Sequence, residues 1–390
     1  MQNKLIRITT VPISLEKLLE NQLRFMKSHY EVTAISSDKS YLERVGQLQE
    51  VPVFHVEMTR QITPIKDLIS VLKLYRFFKK QKPFIVHTHT PKAGTVGMIA
   101  AKLAGVPNRL HTIAGLPLLE TTGNKRRLLN FVEKVTYSCA TKIYPNSFGL
   151  NEIIIREKFC NTEKLKVLGN GSTNGIDTSF FSAEIYSLSE RTILKEKLEI
   201  LPEHFVFIFV GRLVSDKGIN ELITAFKKFT ALFANTKLLL VGPLETELDP
   251  LATQTLEEIE HNKSIISVGY QNDVRPYFAI SDCLVFPSYR EGFPNVVLQA
   301  GAMELPSIVT DINGCNEIII QSENGTIIPV KNVEAIVEAM KKMYTDHDFY
   351  KQLKQNARSM IQSRYEQSVV WQALLAEYNS LITQNKKTKG

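Results

Sequence analysis

From Lys4 to Thr383 the chain alternates short apolar runs with longer segments whose apolar residues recur at helical spacing, and this alternation limits its fold more than any other feature. A strand that is almost continuously apolar is buried on both faces, and such strands belong to parallel sheets covered by crossover helices. His204–Val210 is the clearest case. In the first half, strands are expected at Lys4–Thr9, Glu31–Ser36, Phe84–His89, Arg109–Thr112 and Lys142–Pro145. Helices are expected at Glu16–Ser28, Asp67–Lys80, Gly94–Ala104 and Lys125–Ala140, with Leu68, Val71, Leu72 and Tyr75 marking the helical spacing of the second. A polar, helix-prone connection between Ser182 and Glu203 precedes a second series. Its strands fall at His204–Val210, Lys237–Val241, Ile265–Val268, Cys283–Pro287 and Ser307–Thr310, and its helices at Ile219–Phe233, Leu251–His261, Val333–Met343, Asp348–Gln362 and Ser368–Thr383. The 390 residues have room for two domains. The expected architecture is α/β, two doubly wound domains over residues 1–182 and 183–366 with a cleft between them, then a helix and polar tail over 367–390. Ligands in such sheets bind outside the carboxyl ends of the strands, so the loops there should carry the chemistry. The sequence contains no internal repeat.

The net charge of +7 conceals an asymmetry: residues 1–180 carry 26 Lys/Arg against 14 Asp/Glu, a net +12, and the remainder carries 21 against 26, a net −5. A basic half joined to a mildly acidic one suggests two domains with different partners. The basic excess is densest between Arg60 and Lys82, where seven cations accompany the single acid Asp67 and Leu72, Tyr75, Phe77 and Phe78 interleave. That segment reads either as an interfacial helix docking on anionic lipid or as a core-facing amphipathic helix with a basic outer face. Lys125-Arg126-Arg127 adds a second cluster. Basic and aromatic residues form no nucleic-acid-binding motif, so nucleic acid is not an expected partner. Cys139, Cys160, Cys283 and Cys315 lie far apart without metal-like spacing, as in a reduced cytoplasmic chain. No apolar run approaches the roughly 18 residues that span a bilayer, and Lys4 and Arg7 interrupt any secretory signal core in Met1–Ile13.

Several motifs bear on chemistry. Gly169-Asn170-Gly171-Ser172-Thr173-Asn174 supplies two of the three glycines of a dinucleotide fingerprint, but no helix follows it and no βαβ unit surrounds it. A P-loop is absent from the sequence. His87-Thr88-His89 places two imidazoles on one side of a strand end, suited to a structural or cleft-lining role, or to a metal if a third ligand were supplied. Asp346-His347-Asp348, between two helices, suits capping. The stronger constellation is in the second half. The strand ending at Val210 runs into Gly211-Arg212-Leu213-Val214-Ser215-Asp216-Lys217-Gly218, which sets two cations five residues apart at a strand end. The strand ending at Pro287 opens into Ser288-Tyr289-Arg290-Glu291-Gly292-Phe293-Pro294-Asn295, after which a helix begins near Val296. A helix start offers free N–H groups to phosphate, and Pro294 lacks an N–H that an early helical position would waste. Together the two loops form a metal-free diphosphate cradle.

Gly211-Arg212-(x4)-Lys217-Gly218 followed by Glu291-Gly292-Phe293-Pro294-Asn295 resembles the family 4 retaining glycosyltransferases of the GT-B fold, and the match covers nearly the whole chain. Pro91-Lys92-Ala93-Gly94, His111-Thr112-Ile113-Ala114-Gly115-Leu116-Pro117 and Gly169–Asp177 are similar to bacterial capsule, O-antigen and lipid-linked oligosaccharide enzymes. The resemblance implies an acceptor on the first Rossmann-like domain, a sugar nucleotide on the second, and a last helix, Ser368–Thr383, that crosses back to the first. It implies that Arg212 and Lys217 neutralise the diphosphate, that Glu291 contacts the donor sugar, and that Gly292, Phe293, Pro294, Asn295 and Val296 present backbone to sugar and phosphate. His111 would lie by the reacting centre, with Pro12, His89 and Lys92 as acceptor-side candidates. Two positions depart from the family pattern. Gln299 stands where a ribose-binding Glu is usual; an amide still accepts and donates, but the charge-assisted bond is lost. Val11-Pro12-Ile13-Ser14 stands where relatives often carry paired glycines, so no phosphate contact is expected from that loop.

The implied reaction moves a hexose or N-acetylhexosamine, with retention, from a nucleotide diphosphate sugar, with UDP the expected nucleotide, to a polyprenyl-diphosphate-linked saccharide. It would take place on the inner face of the cell membrane, without metal or cofactor. Charge growing on the departing diphosphate would be stabilised by Arg212, Lys217 and the helix start. A sugar-nucleotide epimerase or hydrolase, and a catalytically silent nucleotide-sugar-binding subunit, are the competing readings.

Overall fold

Two separate six-stranded sheets, each parallel throughout, carry the apolar runs in the computed structural model of the chain, which describes residues 2–116, 118 and 121–387. Pro117 of the His111–Pro117 motif and the last three residues of the tail lie outside the described residues. The first sheet contains β1 (Lys4–Ile8), β2 (Glu31–Ser36), β3 (Val53–His55), β4 (Ile85–Thr88), β5 (Asn108–Ile113) and β6 (Lys142–Pro145), in the order β3-β2-β1-β4-β5-β6. The second contains β7 (Phe205–Val210), β8 (Thr236–Val241), β9 (Ile265–Ser267), β10 (Cys283–Phe286), β11 (Ser307–Thr310) and β12 (Gly325–Ile328), in the order β12-β11-β10-β7-β8-β9. Numbered within its own half, the second sheet has the same winding as the first, although the sequence contains no repeat. The central strands are buried on both faces: Val206, Phe207, Ile208 and Phe209 of β7 and Leu238, Leu239 and Leu240 of β8 are all solvent-inaccessible. That double burial is why these strands were readable as continuous apolar runs.

In each sheet the strand order reverses once, between β1 and β4 and between β7 and β10. A crevice opens at the carboxyl ends of strands at such a reversal. The segments leaving β7 and β10 are those that begin at Gly211 and Pro287; those leaving β1 and β4 contain Pro12, His89 and Lys92. Topology therefore delivers all of these positions to switch points.

The chain divides into one unit of residues 1–174 plus 368–390 and another of residues 175–367. The division falls at Gly175, ahead of the expected boundary after Ser182. Its cause is that the 176–181 segment is tied to the His347–Tyr365 helix: Ile176 N donates to Tyr365 O at 2.8 Å, and Arg358 donates to Phe181 O and Thr178 O at 2.9 and 2.8 Å. The Gln367–Lys387 helix contributes Leu374, Leu375, Tyr378 and Leu381 to the core of the first unit beside Leu5, Ile85 and Leu110.

Several helices differ from expectation. Glu16–Ser28 is two short helices, Pro12–Lys17 and Gln22–Lys27, separated at Asn21, which takes a left-handed conformation at φ 57° and lets Gln22 turn its side chain inward. The Pro64–Gln81 helix buries Val71, Leu74 and Phe78 but exposes Leu68 and Leu72, so its core face is rotated from the expected one. Asp346 caps the His347–Tyr365 helix by accepting from Phe349 N at 3.0 Å. The four cysteines are free. Among the described residues no helix is long and apolar enough to cross a membrane, and no three His, Cys, Asp or Glu side chains are grouped as a metal ion would require.

Candidate functional site

In the second unit, the loops leaving β7 and β10 meet. After Val210 the backbone passes through Gly211 and Arg212 into a single 3-10 turn, Ser215–Lys217, and then the Ile219–Thr230 helix. Gly218 joins the two at φ +72°, and a Cβ there would lie 2.2 Å from the carbonyl oxygen of Pro287, so only glycine lets the turn sit against the end of β10. This contact brings Lys217 to Glu291. Its ammonium donates to Glu291 Oε1, and the two side chains are each 17% exposed. The same carboxylate oxygen accepts from the buried Ser288 hydroxyl at 3.1 Å. Arg212 is 51% exposed and pairs through Nη1 with Glu245 Oε2 at 2.6 Å.

The Glu291–Asn295 segment is fixed from below. Asn313 donates from Nδ2 to the carbonyls of Glu291 and Gly292, and Thr310 Oγ1 donates to Ser288 O. Phe293 turns inward against Tyr365, with ring centroids 5.4 Å apart, so it anchors the loop through packing and presents backbone outward. Pro294 is the N-cap of the Asn295–Ala302 helix, whose first turn holds the exposed Asn295 and half-buried Val296. Gln299 lies on the same helix, half-buried. The arrangement comprises two cations, a carboxylate facing one of them, and a helix start with free N–H groups, which suits a diphosphate carrying a hydroxylated group.

In the first unit, the loops leaving β1 and β4 are stitched together by Thr10 and Thr90, whose hydroxyls are 2.7 Å apart, and Thr10 Oγ1 also accepts from Ala93 N at 3.2 Å. Pro12 starts its helix and is buried. Lys92 pairs with Asp67, and both are largely enclosed. His111, on β5, is buried with Nδ1 2.7 Å from Thr88 Oγ1. Its ring lies against Gly94: a Cβ there would be 2.4 Å from His111 Cε1. Burial pushes the imidazole pKa down to about 4, so it is neutral at pH 7. His89 is also buried. It accepts at Nε2 from Arg7 Nε at 2.9 Å, which places the ring hydrogen on Nδ1. His87 bridges Tyr378 OH at 2.6 Å and Thr112 Oγ1 at 2.7 Å. Burial and the nearby Arg7 charge hold both imidazoles well below their usual range. The ring centroids of His87 and His89 are 4.2 Å apart, with the planes tilted by 37°.

The structure thus gathers Arg212, Lys217, Glu291 and the 292–299 segment at one switch point. It places Pro12, His89, Lys92 and His111 in the β1, β4 and β5 region of the other sheet. Sequence reasoning missed Glu245, Asn313 and the fit of His111 against Gly94. Glu245 follows the carboxyl end of a strand that was recognised, so the rule that such loops carry chemistry would have flagged it; Asn313 had no local signal.

A doubly wound pair with a cation–carboxylate–helix-start site at a switch point defines a class of nucleotide-sugar-using transferase. Comparison with known families agrees: residues 190–360 match the model described as glycosyl transferases group 1, and residues 16–147 match glycosyl transferase 4-like. The chain belongs to this family of GT-B glycosyltransferases and is an enzyme of that kind. It is 33% identical over 385 residues, 98% of either chain, to the capsular polysaccharide biosynthesis glycosyltransferase CapM of Staphylococcus aureus. It is 31% identical over 308 residues, 78% of this chain and 77% of the other, to an Escherichia coli UDP-Gal:alpha-D-GlcNAc-diphosphoundecaprenol alpha-1,3-galactosyltransferase. Among solved structures, Anabaena HepE in complex with UDP and glucose superposes with a TM-score of 0.79 at 17% identity, covering 97% of this chain and all of the other, which supports the fold.

Proposed function

We propose that the chain moves a hexose or N-acetylhexosamine, with retention, from a UDP-sugar to a polyprenyl-diphosphate-linked saccharide in the synthesis of a bacterial surface polysaccharide. The observation that carries this reading is the Lys217–Glu291 contact beside Arg212 at the β7/β10 switch point. The names of the relatives support the rest: one makes capsular polysaccharide, and another uses UDP-Gal and a diphosphoundecaprenol-linked acceptor. Arg212, Lys217 and the Asn295 helix start offset the charge that grows on the departing diphosphate. Glu291, fixed by Lys217 and Ser288, binds and orients the donor sugar and is not a nucleophile. Gln299 holds ribose hydroxyls by neutral hydrogen bonds. His111, neutral at pH 7, takes part as a hydrogen-bonding group. Transfer requires no divalent metal.

The acceptor reaches the first unit from an anionic membrane surface in this reading. The Pro64–Gln81 helix supports it, exposing Ile65 (79%), Leu68 (60%) and Ile69 (60%) on the same element as Lys66, Lys73, Arg76 and Lys80. A groove of about 650 Å3 there is lined by Phe54, Ile69, Leu72, Lys73, Arg76 and Phe77, among others. Of the aromatic residues interleaved there, Phe78 is buried, and Phe77 stacks on Phe54 with ring centroids 4.0 Å apart.

The test is release of UDP from a panel of UDP-sugars with and without a synthetic polyprenyl-diphosphate-linked N-acetylglucosamine, in EDTA, with the product read by mass spectrometry. Acceptor-dependent release with a mass gain of one sugar is expected. Release without acceptor would mark a hydrolase, and binding without release a silent subunit.

A further inference from the structure

The segment between β8 and the Thr253–His261 helix is bound at both ends to the loop that carries Arg212 and Lys217 and to the helix that follows it. Leu213 N donates to Pro243 O at 2.9 Å and Ser215 N to Asp249 O at 3.2 Å. Asp216 N donates to Asp249 Oδ2 at 2.7 Å, and Ser215 Oγ donates to Pro250 O at 2.7 Å. Asn220 Oδ1 closes the far end, accepting from Ala252 N at 3.0 Å and Thr255 Oγ1 at 2.8 Å. A loop anchored on both sides in this way carries Glu245, which follows the Leu213–Leu244 bridge, to the Arg212 guanidinium at 2.6 Å.

Each cation of the cradle is therefore held by one carboxylate from the end of a neighbouring strand: Lys217 by Glu291 after β10, and Arg212 by Glu245 after β8. The two cases differ in exposure. Lys217 is enclosed, and packing as well as charge fixes it. Arg212 is half exposed, and a free side chain of that length has several rotatable bonds to order when a phosphate arrives. Glu245 engages Nη1 alone; Nε and Nη2 make no bond to the protein among the described residues and keep donors for a ligand oxygen.

We infer that Glu245 is a positioning residue: it holds the Arg212 guanidinium in the orientation that receives the diphosphate, and so lowers the ordering cost of donor binding. The inference rests on the proposed donor reading of the same loop. An alternative role for the same contact is competition, with the carboxylate occupying a place that the phosphate must take. The two roles separate when charge is held constant. Glu245→Gln and Glu245→Ala both remove the negative charge, but only the amide keeps an oxygen able to accept from Arg212.

The experiment measures binding of UDP, GDP and inorganic pyrophosphate by calorimetry to the full chain, to R212A, to E245Q and E245A, and to both Glu245 variants in an R212A background. Positioning predicts that E245A binds about two- to tenfold more weakly than E245Q, the usual cost of ordering one long side chain. It also predicts that this ratio falls to one when Arg212 is absent, because the two residues act as a unit. Equal affinity of E245A and E245Q with Arg212 present, tighter binding by E245A, or a ratio that survives in R212A would each overturn the inference. Failure of the donor reading looks different. In that case none of the three ligands binds the wild-type chain, or R212A binds them as well as wild type does. Melting temperatures of the six proteins control for folding; an exposed pair of this kind contributes little to stability.

Discussion

At the scale of single residues, the Lys217–Glu291 pair is the most demanding test of the site. Lys217→Ala removes a donor aimed at the departing diphosphate, and loss of one such donor costs about 2–4 kcal/mol in the transition state, roughly 30- to 1,000-fold in rate. Glu291→Gln keeps an acceptor for Lys217 and for Ser288 but removes the charge, so turnover should fall much further than the loss of stability accounts for. Parallel measurement of kcat and Tm for both variants checks this, and wild-type turnover in either removes that residue from the mechanism. Both side chains were visible in the sequence because each stands in a short motif at a strand end. Their partnership was not, since 74 residues separate them and the contact depends on Gly218 lying against Pro287. His111 and Gly94 illustrate the same limit: each lay in a recognised motif, yet only packing shows that the glycine makes room for the imidazole.

At the scale of elements, the parallel strands were legible because burial on both faces leaves no polar position to break the apolar run. The elements that escaped notice include the short strands at the sheet edges and helices with few apolar positions. β3 and β12 are edge strands of three and four residues, and the Lys39–Gln49 helix hides its four buried positions in a mostly polar sequence. The Pro64–Gln81 helix shows why periodicity alone misled. It is apolar over more than one face, so the spacing of Leu68, Val71, Leu72 and Tyr75 did not determine which side meets the core. The two faces give opposite expectations for substitution. Leu74→Ala opens a cavity in the core of the first unit and should cost about 2–5 kcal/mol. Leu68→Ser with Ile69→Ser should leave stability within about 0.5 kcal/mol for each, while reducing association with anionic vesicles, because both side chains lie in water. Chemical denaturation and vesicle flotation, each at low and high salt, separate the two effects. Undiminished flotation of the double variant would exclude this face as the docking surface.

At the scale of the whole molecule, the two units bury their polar groups differently, and acid should expose that difference. His87, His89 and His111 are buried in the first unit, whereas none of the second unit's histidines, His204, His261 and His347, is buried. A buried imidazole whose folded pKa is below its unfolded value contributes stability that is complete above the unfolded pKa and is lost as pH falls toward the folded one. For His111 that window runs from 6.5 down to about 4, and by pH 5 the loss from this residue alone is about 2 kcal/mol. His87 and His89 are shifted in the same direction for the same reason, so their losses add to it. The return of the Gln367–Lys387 helix to the first unit brings the chain's single tryptophan, Trp371, into that unit, where its Nε1 donates to Asn174 Oδ1 at 2.7 Å. Tryptophan fluorescence therefore reports on the unit that carries the buried histidines and is silent about the other. The urea midpoint read by that signal should be clearly lower at pH 5 than at pH 7, while far-ultraviolet circular dichroism resolves a second transition that moves less. Most carboxylates titrate below this interval, but burial raises the Glu133 carboxyl of the same unit to about 7, so it gains stability as pH falls and opposes the histidines; the comparison is therefore made in E133Q, where the remaining shift belongs to histidine. Equal fluorescence midpoints at the two pH values would mean that these imidazoles are solvated or already charged in the folded chain, and that His111 does not enter the reaction as a neutral group.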